Sequence, residues 1–143
     1  MPNIRWLIAA ITAVHRFAYL ASRGFVGRWI GWRKRALLLW HRGRVSGVLH
    51  IAPLLYVEDG DDFVVVGSNG GDARDPQWWK NLQREPATTV QVGRRRFAVS
   101  ARLADDAERQ RLWSILDASY ATYARYREHA APRSIPIVIL ERR

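Results

Sequence analysis

The sequence predicts an α+β domain whose body is a mostly antiparallel, six-stranded barrel, closed or split, with two inserted helices and a basic amphipathic N-terminal helical leader. Three observations carry that expectation. Apolar runs are joined by tight turn signals, Asp59-Gly60 and Gly93, as antiparallel hairpins require. Only two internal segments space their apolar residues as helices do, whereas a doubly wound parallel sheet needs a helix between every pair of strands. The first part of the chain differs in kind: no Asp or Glu precedes Glu58, while Arg5, Arg16, Arg23, Arg28, Arg33, Lys34, Arg35, Arg42 and Arg44 all do.

Residues 1–34 form the leader and 35–143 the barrel domain. In the leader Ile4, Leu7, Ile8, Ile11, Val14, Phe17, Ala18 and Ala21 recur at three and four, giving a helix with one apolar face. Its apolar run, Trp6 to Val14, is far shorter than the ~20 residues a spanning helix needs, and His15 and Arg16 end it. Arginines and tryptophans follow where a secretory signal would carry small residues for cleavage. Trp6, Phe17, Tyr19, Phe25, Trp29 and Trp32 interleaved with cations suit an interfacial helix, rings at headgroup depth and charge toward anionic lipid. A helix packed on the domain with solvated arginines is the plain alternative. Specific nucleic-acid binding is not expected, because a net charge of +10 is unspecific and no recognition motif accompanies it. The expected location is cytoplasmic, peripheral at the inner face of the cell membrane.

The rest of the chain supplies the barrel. Arg35 to His41 reads as a buried strand, Gly43 to Gly47 as a tight loop, and Val48 to Val57 as a second strand. A hairpin turn over Glu58 to Asp62 leads into Phe63 to Val66. Gly70 and Gly71 then feed a helix from Asp75 to Glu85, with Asp75 as N-cap, Pro76 in the first turn, and Trp78 and Trp79 either core or ligand wall. Thr88 to Val92 and Arg95 to Leu103 form a second hairpin around Gly93. Asp105 and Asp106 open a helix reaching at least Tyr120, and Ile135 to Leu140 closes the domain as a strand with Pro136 at its start. The absence of cysteine removes disulfides, thiolate metal sites and cysteine nucleophiles; His15, His41, His50 and His129 lack metal-ligand spacing.

Several short motifs occur in a fixed order: Gly43-Arg44-Val45-Ser46-Gly47, Pro53-Leu54-Leu55-Tyr56, Ser68-Asn69-Gly70-Gly71, Pro76-Gln77-Trp78-Trp79-Lys80-Asn81-Leu82, then Tyr120, Tyr123 and Tyr126, and Ile135-Pro136-Ile137-Val138. In that order and spacing the chain resembles, from about Leu37 to Glu141, the deazaflavin-dependent nitroreductases, the coenzyme F(420)-dependent quinone reductases with a split β-barrel. The resemblance implies a deazaflavin coenzyme rather than FMN, in a groove along the barrel, and a quinone or nitroaromatic acceptor. A homodimer is a further expectation from the family.

By the same resemblance Arg44, Val45, Ser46, Gly47 and His50 match the loop for the coenzyme's phosphate and acidic tail, and a guanidinium with backbone amides suits those anions. Ser68, Asn69, Gly70 and Gly71 match the turn beside the ring, with Pro53, Leu55, Val66, Gln77 and Trp78 completing the groove. Tyr120, Tyr123 and Tyr126, with Ser68, match the acceptor-side catalytic positions, where a phenol can donate to a quinone or nitro oxygen. Unaided by the resemblance, the tyrosines read as a helical surface ladder or core aromatics. The chain departs from the family's Gly-Arg-Lys-Ser/Thr-Gly loop at Val45, from an arginine at His50, and from a lysine found in some members at Asn69. Losing the first two cations opens an alternative to the reductase: a non-catalytic relative that has lost the coenzyme and holds a fatty acyl chain or lipid in the same apolar groove.

Overall fold

A computed structural model describes residues 36–143, so the expected leader lies outside the described residues. Seven strands form one sheet: β1 (Ala36–Arg42), β2 (Leu49–Leu55), β3 (Val57–Asp59), β4 (Asp62–Val66), β5 (Ala87–Val92), β6 (Arg95–Leu103) and β7 (Ile137–Arg142). Their order is β2-β1-β5-β6-β7-β4-β3, and every pairing is antiparallel. The two edges of this sheet, β2 and β3, are consecutive in the chain. A single bend at Tyr56 therefore joins edge to edge and curls the sheet into a half-barrel.

That bend corrects the expected six strands to seven. The run Val48 to Val57, read as one strand, breaks at Tyr56: Leu55 pairs with Ala36 of β1, and Val57 with Val64 of β4. Tyr56 is buried, its ring meets Phe63 edge-on at 5.6 Å, and its carbonyl accepts a hydrogen bond from Tyr120 Oη at 3.0 Å. The phenol holds the chain at this bend, and the ladder changes partner there.

Among the described residues three α-helices replace the expected two: α1 (Gln77–Arg84), α2 (Asp106–Ser119) and α3 (Thr122–Ala130). The start of α2 follows the acids of its first turn. Asp105 Oδ1 accepts from Glu108 N at 2.8 Å and Glu108 Oε1 from Asp105 N at 3.0 Å, a reciprocal capping box. Arg102 grips the same Glu108 through two bonds of 2.7 and 2.8 Å and holds its carboxyl down to about 2. The helix does not run through Tyr120, whose backbone is extended (φ −141°, ψ 99°) because its phenol is anchored on Tyr56; α3 restarts two residues later. At α1 the capping residue is Pro76 and not Asp75, whose carboxylate is drawn away to Arg133 Nη1 at 2.6 Å.

Strand alternation divides the core into two. Inside the barrel lie Leu37, Leu39, Phe63, Val65, Val90, Val99, Val138 and Leu140, with Trp78, Trp79 and Leu82 of α1 packed among them. Val64, Val66, Ile137 and Ile139 point the other way, under Leu112 and Leu116 of α2 and the tyrosines. Thus β4 and β7 are buried on both faces, which explains their unbroken apolar sequences.

Candidate functional site

The motif residues gather in two places. The first is the loop between β1 and β2. Gly47 N donates to Gly43 O and Gly43 N to Val48 O, both at 2.8 Å, while Ser46 Oγ accepts from Val48 N at 3.1 Å. Gly47 has φ +73°, a left-handed angle that glycine adopts without cost. Arg44 lies along α1: its amide donates to Asn81 Oδ1 at 3.1 Å, and its Nη1 to Gln77 Oε1 at 2.8 Å and to Asn81 Oδ1 at 2.9 Å. No carboxylate pairs with Arg44 among the described residues. It is a cation fixed by neutral amides, beside the opening turn of α1 where backbone N–H groups lack helical partners.

Behind Arg44 the buried Asn81 faces His41, its Nδ2 2.9 Å from His41 Nδ1. Since Asn81 Oδ1 already accepts from Arg44, its amide nitrogen must be the donor here, so His41 Nδ1 is unprotonated. Burial, and then His50, lower His41 to about 4, which keeps it neutral and able to accept. His50 is itself exposed and stacks on His41, ring centres 5.3 Å apart. Val45 is 95 % exposed and touches little of the fold.

The second place is the turn after β4. Ser68 is right-handed (φ −70°, ψ −31°), and Asn69, Gly70 and Gly71 have φ of +48°, +64° and +84°. Within it Gly71 N donates to Ser68 O at 2.9 Å and Asp72 N to Asn69 O at 3.1 Å, whereas the amides of Ser68, Asn69 and Gly70 meet no acceptor among the described residues. A right-handed residue followed by a left-handed one turns successive N–H groups into one concavity, which suits an anionic or carbonyl oxygen. Asn69 spends its side-chain amide on Arg74 O at 3.0 Å, holding the loop.

This turn carries α3. A Cβ built on Gly71 would lie 3.0 Å from His129 Cβ and 3.3 Å from Tyr126 O, so only glycine admits so close a helix. On the other side stands Arg133, a residue that motif reading missed, whose guanidinium reaches Gly67 O, Ser68 O, Asp72 O and Asp75. Nothing in the local pattern marks it, because its partners are 58 to 66 residues away.

The three tyrosines do not share one helix. Tyr120 caps α2 and donates to Tyr56 O, while Tyr123 and Tyr126 sit in α3. Their rings meet edge-on in series, 5.6 Å from Tyr120 to Tyr123 and 6.3 Å from Tyr123 to Tyr126. Burial, then the neighbouring phenols Tyr120 and Tyr126, push Tyr123 well above the ordinary phenol range, so it stays a proton-bearing donor. Leu55 and Val66 pack in this outer cluster, half-buried Pro53 pairs with Leu38 in the sheet, and Trp78, 7 % exposed, belongs to the barrel interior. The structure therefore joins Ser68 to Gly71 with the tyrosine helix, and Arg44 with Gln77. It does not gather all the motif residues on one surface.

The donor set fits an acidic, planar coenzyme: an unpaired guanidinium for a phosphate or carboxylate, and an open row of amides for a ring edge. Among the described residues no group of three or more His, Asp or Glu could hold a metal, and no helix is long and apolar enough to cross a membrane.

Comparison with known proteins identifies the fold and the family together. The family model for F420H(2)-dependent quinone reductase matches residues 12–142. An F420H(2)-dependent quinone reductase of Mycobacterium tuberculosis is 34% identical over 150 residues, covering 100% of both chains. A solved structure described as an F420-H2 dependent reductase superposes with a TM-score of 0.68 at 31% identity, over 75% of this chain and 94% of that one. Another, described as a domain-swapped dimer, gives 0.68 at 28% identity over 83% and 96%. The chain belongs to the F420H(2)-dependent quinone reductase family: it is an oxidoreductase, and its cofactor is the deazaflavin coenzyme F(420).

Proposed function

We propose that this enzyme passes a hydride from the reduced coenzyme to a quinone, accepts nitroaromatic compounds as well, and works against an anionic membrane surface at the inner face of the cell membrane. One observation carries the reading of the site: α3, with its tyrosines, is packed on the amide-lined turn at Gly71. That contact supports a coenzyme and an acceptor meeting between Ser68 to Gly71 and Tyr123 to Tyr126.

When bound, the coenzyme supplies the hydride. Arg44 binds its acidic tail, with Ser46, Gly47, Gln77 and the flanking Val45 and His50 forming the rest of that patch. The Ser68 to Gly70 amides orient the ring edge, and the packed Tyr126 and Gly71 keep water from that side. Tyr123 keeps its proton and would donate a hydrogen bond to a quinone oxygen, where negative charge develops as the quinone gains a hydride equivalent and, with one solvent proton, is reduced to the hydroquinone. Family membership decides against the coenzyme-free, lipid-holding alternative. The membrane reading is supported by the sequence of the leader, which carries cations and neither Asp nor Glu, and a homodimer by the relative described as a domain-swapped dimer.

Oxidised deazaflavin is yellow and fluorescent and its reduced form is neither, so one assay tests the chemistry by the fluorescence that appears. Oxidation of the reduced coenzyme by menadione, a quinone without an isoprenoid tail, is expected with the full chain, and its absence overturns the reading. Sedimentation with anionic liposomes that weakens as salt rises tests the membrane, because each near-surface cation contributes ~1 kcal/mol. Binding indifferent to lipid charge removes that part of the proposal.

A further inference from the structure

We propose that Arg133 is the positioning residue that keeps the Ser68 to Gly70 amides open as a donor concavity. The inference rests on the reading of that turn as the coenzyme's neighbour. Its basis is a guanidinium used almost to capacity: Nη1 donates to Asp75 Oδ1 at 2.6 Å and Gly67 O at 3.2 Å, Nη2 to Ser68 O at 2.9 Å and Asp72 O at 2.7 Å, and Nε to Asp72 O at 3.0 Å. The side chain is only 13% exposed, and of its contacts only Asp75 is charged.

Peptide geometry gives this clamp its consequence. In a trans peptide the carbonyl and the following N–H point in opposite directions. Drawing Gly67 O to the guanidinium sends the Ser68 N–H away from it, and drawing Ser68 O does the same for Asn69 N–H. Asp72 O anchors the far end of the turn. Without these bonds, three carbonyls would compete with the ring for space, and amides facing the ligand would be free to rotate inward. The positive charge behind the turn also strengthens every N–H donor in front of it. A planar fork of five donors is required. Lysine, a compact point charge with three, cannot span Gly67 O, Ser68 O and Asp72 O together.

The test uses the full chain and three variants, Arg133→Gln, Arg133→Lys and Arg133→Ala. Three readouts are needed: deazaflavin affinity by fluorescence titration, amide hydrogen exchange without coenzyme, and steady-state oxidation of the reduced coenzyme by menadione. In Arg133→Gln we expect the deazaflavin Kd and the coenzyme KM to rise about tenfold or more while the menadione KM moves less than about threefold. Exchange should quicken across residues 67–75 and stay unchanged across 43–47. Arg133→Lys, which retains charge and bulk, should recover only part of the affinity. Added guanidinium ion at millimolar concentration should restore part of it in Arg133→Ala, which a loss of general stability would not allow.

Unchanged exchange at 67–75 in the variants overturns the clamp. Faster exchange with unchanged Kd overturns the proposal by showing that the turn does not face the coenzyme, and with it the reading of the site. A wild-type chain that oxidises the reduced coenzyme, paired with an Arg133→Lys variant of equal Kd, overturns the inference alone. Should Arg133→Gln and Arg133→Ala fail to fold, Arg133→Lys and Asp75→Asn decide. The latter keeps the guanidinium and removes its one charged partner, and a Kd raised about threefold is expected of it.

Discussion

The two halves of the site are built on opposite principles. At the β1–β2 loop Arg44 is held from one side by the amides of Gln77 and Asn81, Arg42 Nη1 donates to Gly47 O at 2.9 Å, and Val45 to Gly47 are exposed. At the Ser68 to Gly71 turn the backbone is clasped between the mostly buried Arg133 guanidinium and a helix, and Asn69 spends its side chain on Arg74 O within the same loop. The first can follow a flexible, charged tail at little cost, because the attraction is long-ranged and the loop has few contacts to break. The second cannot move without unpacking α3, which suits a rigid ring that must meet its acceptor at a fixed distance. Changes at the turn should therefore cost folding stability, and changes at the loop should cost binding.

Gly71→Ala tests that contrast hardest. The added Cβ meets His129 Cβ at 3.0 Å and Tyr126 O at 3.3 Å, and the φ of +84° is strained for any other residue. Overpacking and strain together should cost about 2–5 kcal/mol, read by urea denaturation. Gly70→Ala, one residue earlier, meets nothing within 4 Å and carries only the left-handed strain of ~1–2 kcal/mol. Equal losses in the two variants would mean that α3 does not rest on the turn.

Acid should expose the relay behind Arg44 next. Burial holds folded His41 at about 4 against 6.5 when unfolded, so between those values the unfolded chain binds more protons. Stability from this group is complete above pH 6.5 and is lost as pH falls toward 4, up to about 3 kcal/mol at ~1.4 kcal/mol per unit. His41→Gln keeps an acceptor for Asn81 and cannot titrate. Denaturation at pH 7 and pH 5 should show a smaller difference in the variant than in the parent, and equal differences would remove His41 from the acid limb.

Arg44→Ala should leave stability nearly unchanged and weaken deazaflavin about tenfold or more, since hydrogen bonds to a charged group are worth ~1.5–3 kcal/mol. Val45→Lys, restoring the family's cation on a side chain already 95 % exposed, should tighten binding without touching the fold. A fluorescence titration in which both variants bind like the parent would detach the loop from the coenzyme.

What sequence could show here depended on distance along the chain. The β5–β6 hairpin around Gly93 and the start of α2 at Asp105 were legible, because their turn and capping residues sit within a few positions of one another. The two misread boundaries, at Tyr56 and Tyr120, are the ends of one hydrogen bond between residues 64 apart. No local periodicity encodes that bond, yet it breaks a strand at one end and a helix at the other. Arg133 escaped for the same reason, and Asp75 was misjudged as a cap because its distant arginine outbids the nearby amides. The motif residues can be picked out in the sequence, but their division between a barrel-side patch and a tyrosine-side patch required the sheet order.

The smallest expected effect sharpens the comparison most, because it lies inside the rigid half and should still spare the fold. Tyr123→Phe keeps the ring and its edge-on contacts with Tyr120, Tyr126 and Trp113, and removes only a hydroxyl that makes no hydrogen bond among the described residues. Stability should change by less than about 1 kcal/mol, since no buried partner is orphaned. If that hydroxyl donates to the acceptor, kcat with menadione should fall about two- to tenfold, the worth of one neutral hydrogen bond at ~0.5–1.5 kcal/mol. Deazaflavin affinity should stay within about threefold of the parent by titration. Because burial holds the phenol protonated, the loss should also be independent of pH from 6 to 9, whereas a phenol titrating as a base would give a loss that grows with pH. Equal weakening of turnover and of coenzyme binding would move Tyr123 from the acceptor side to the coenzyme side, and the turn and its helix would then form one wall of the groove.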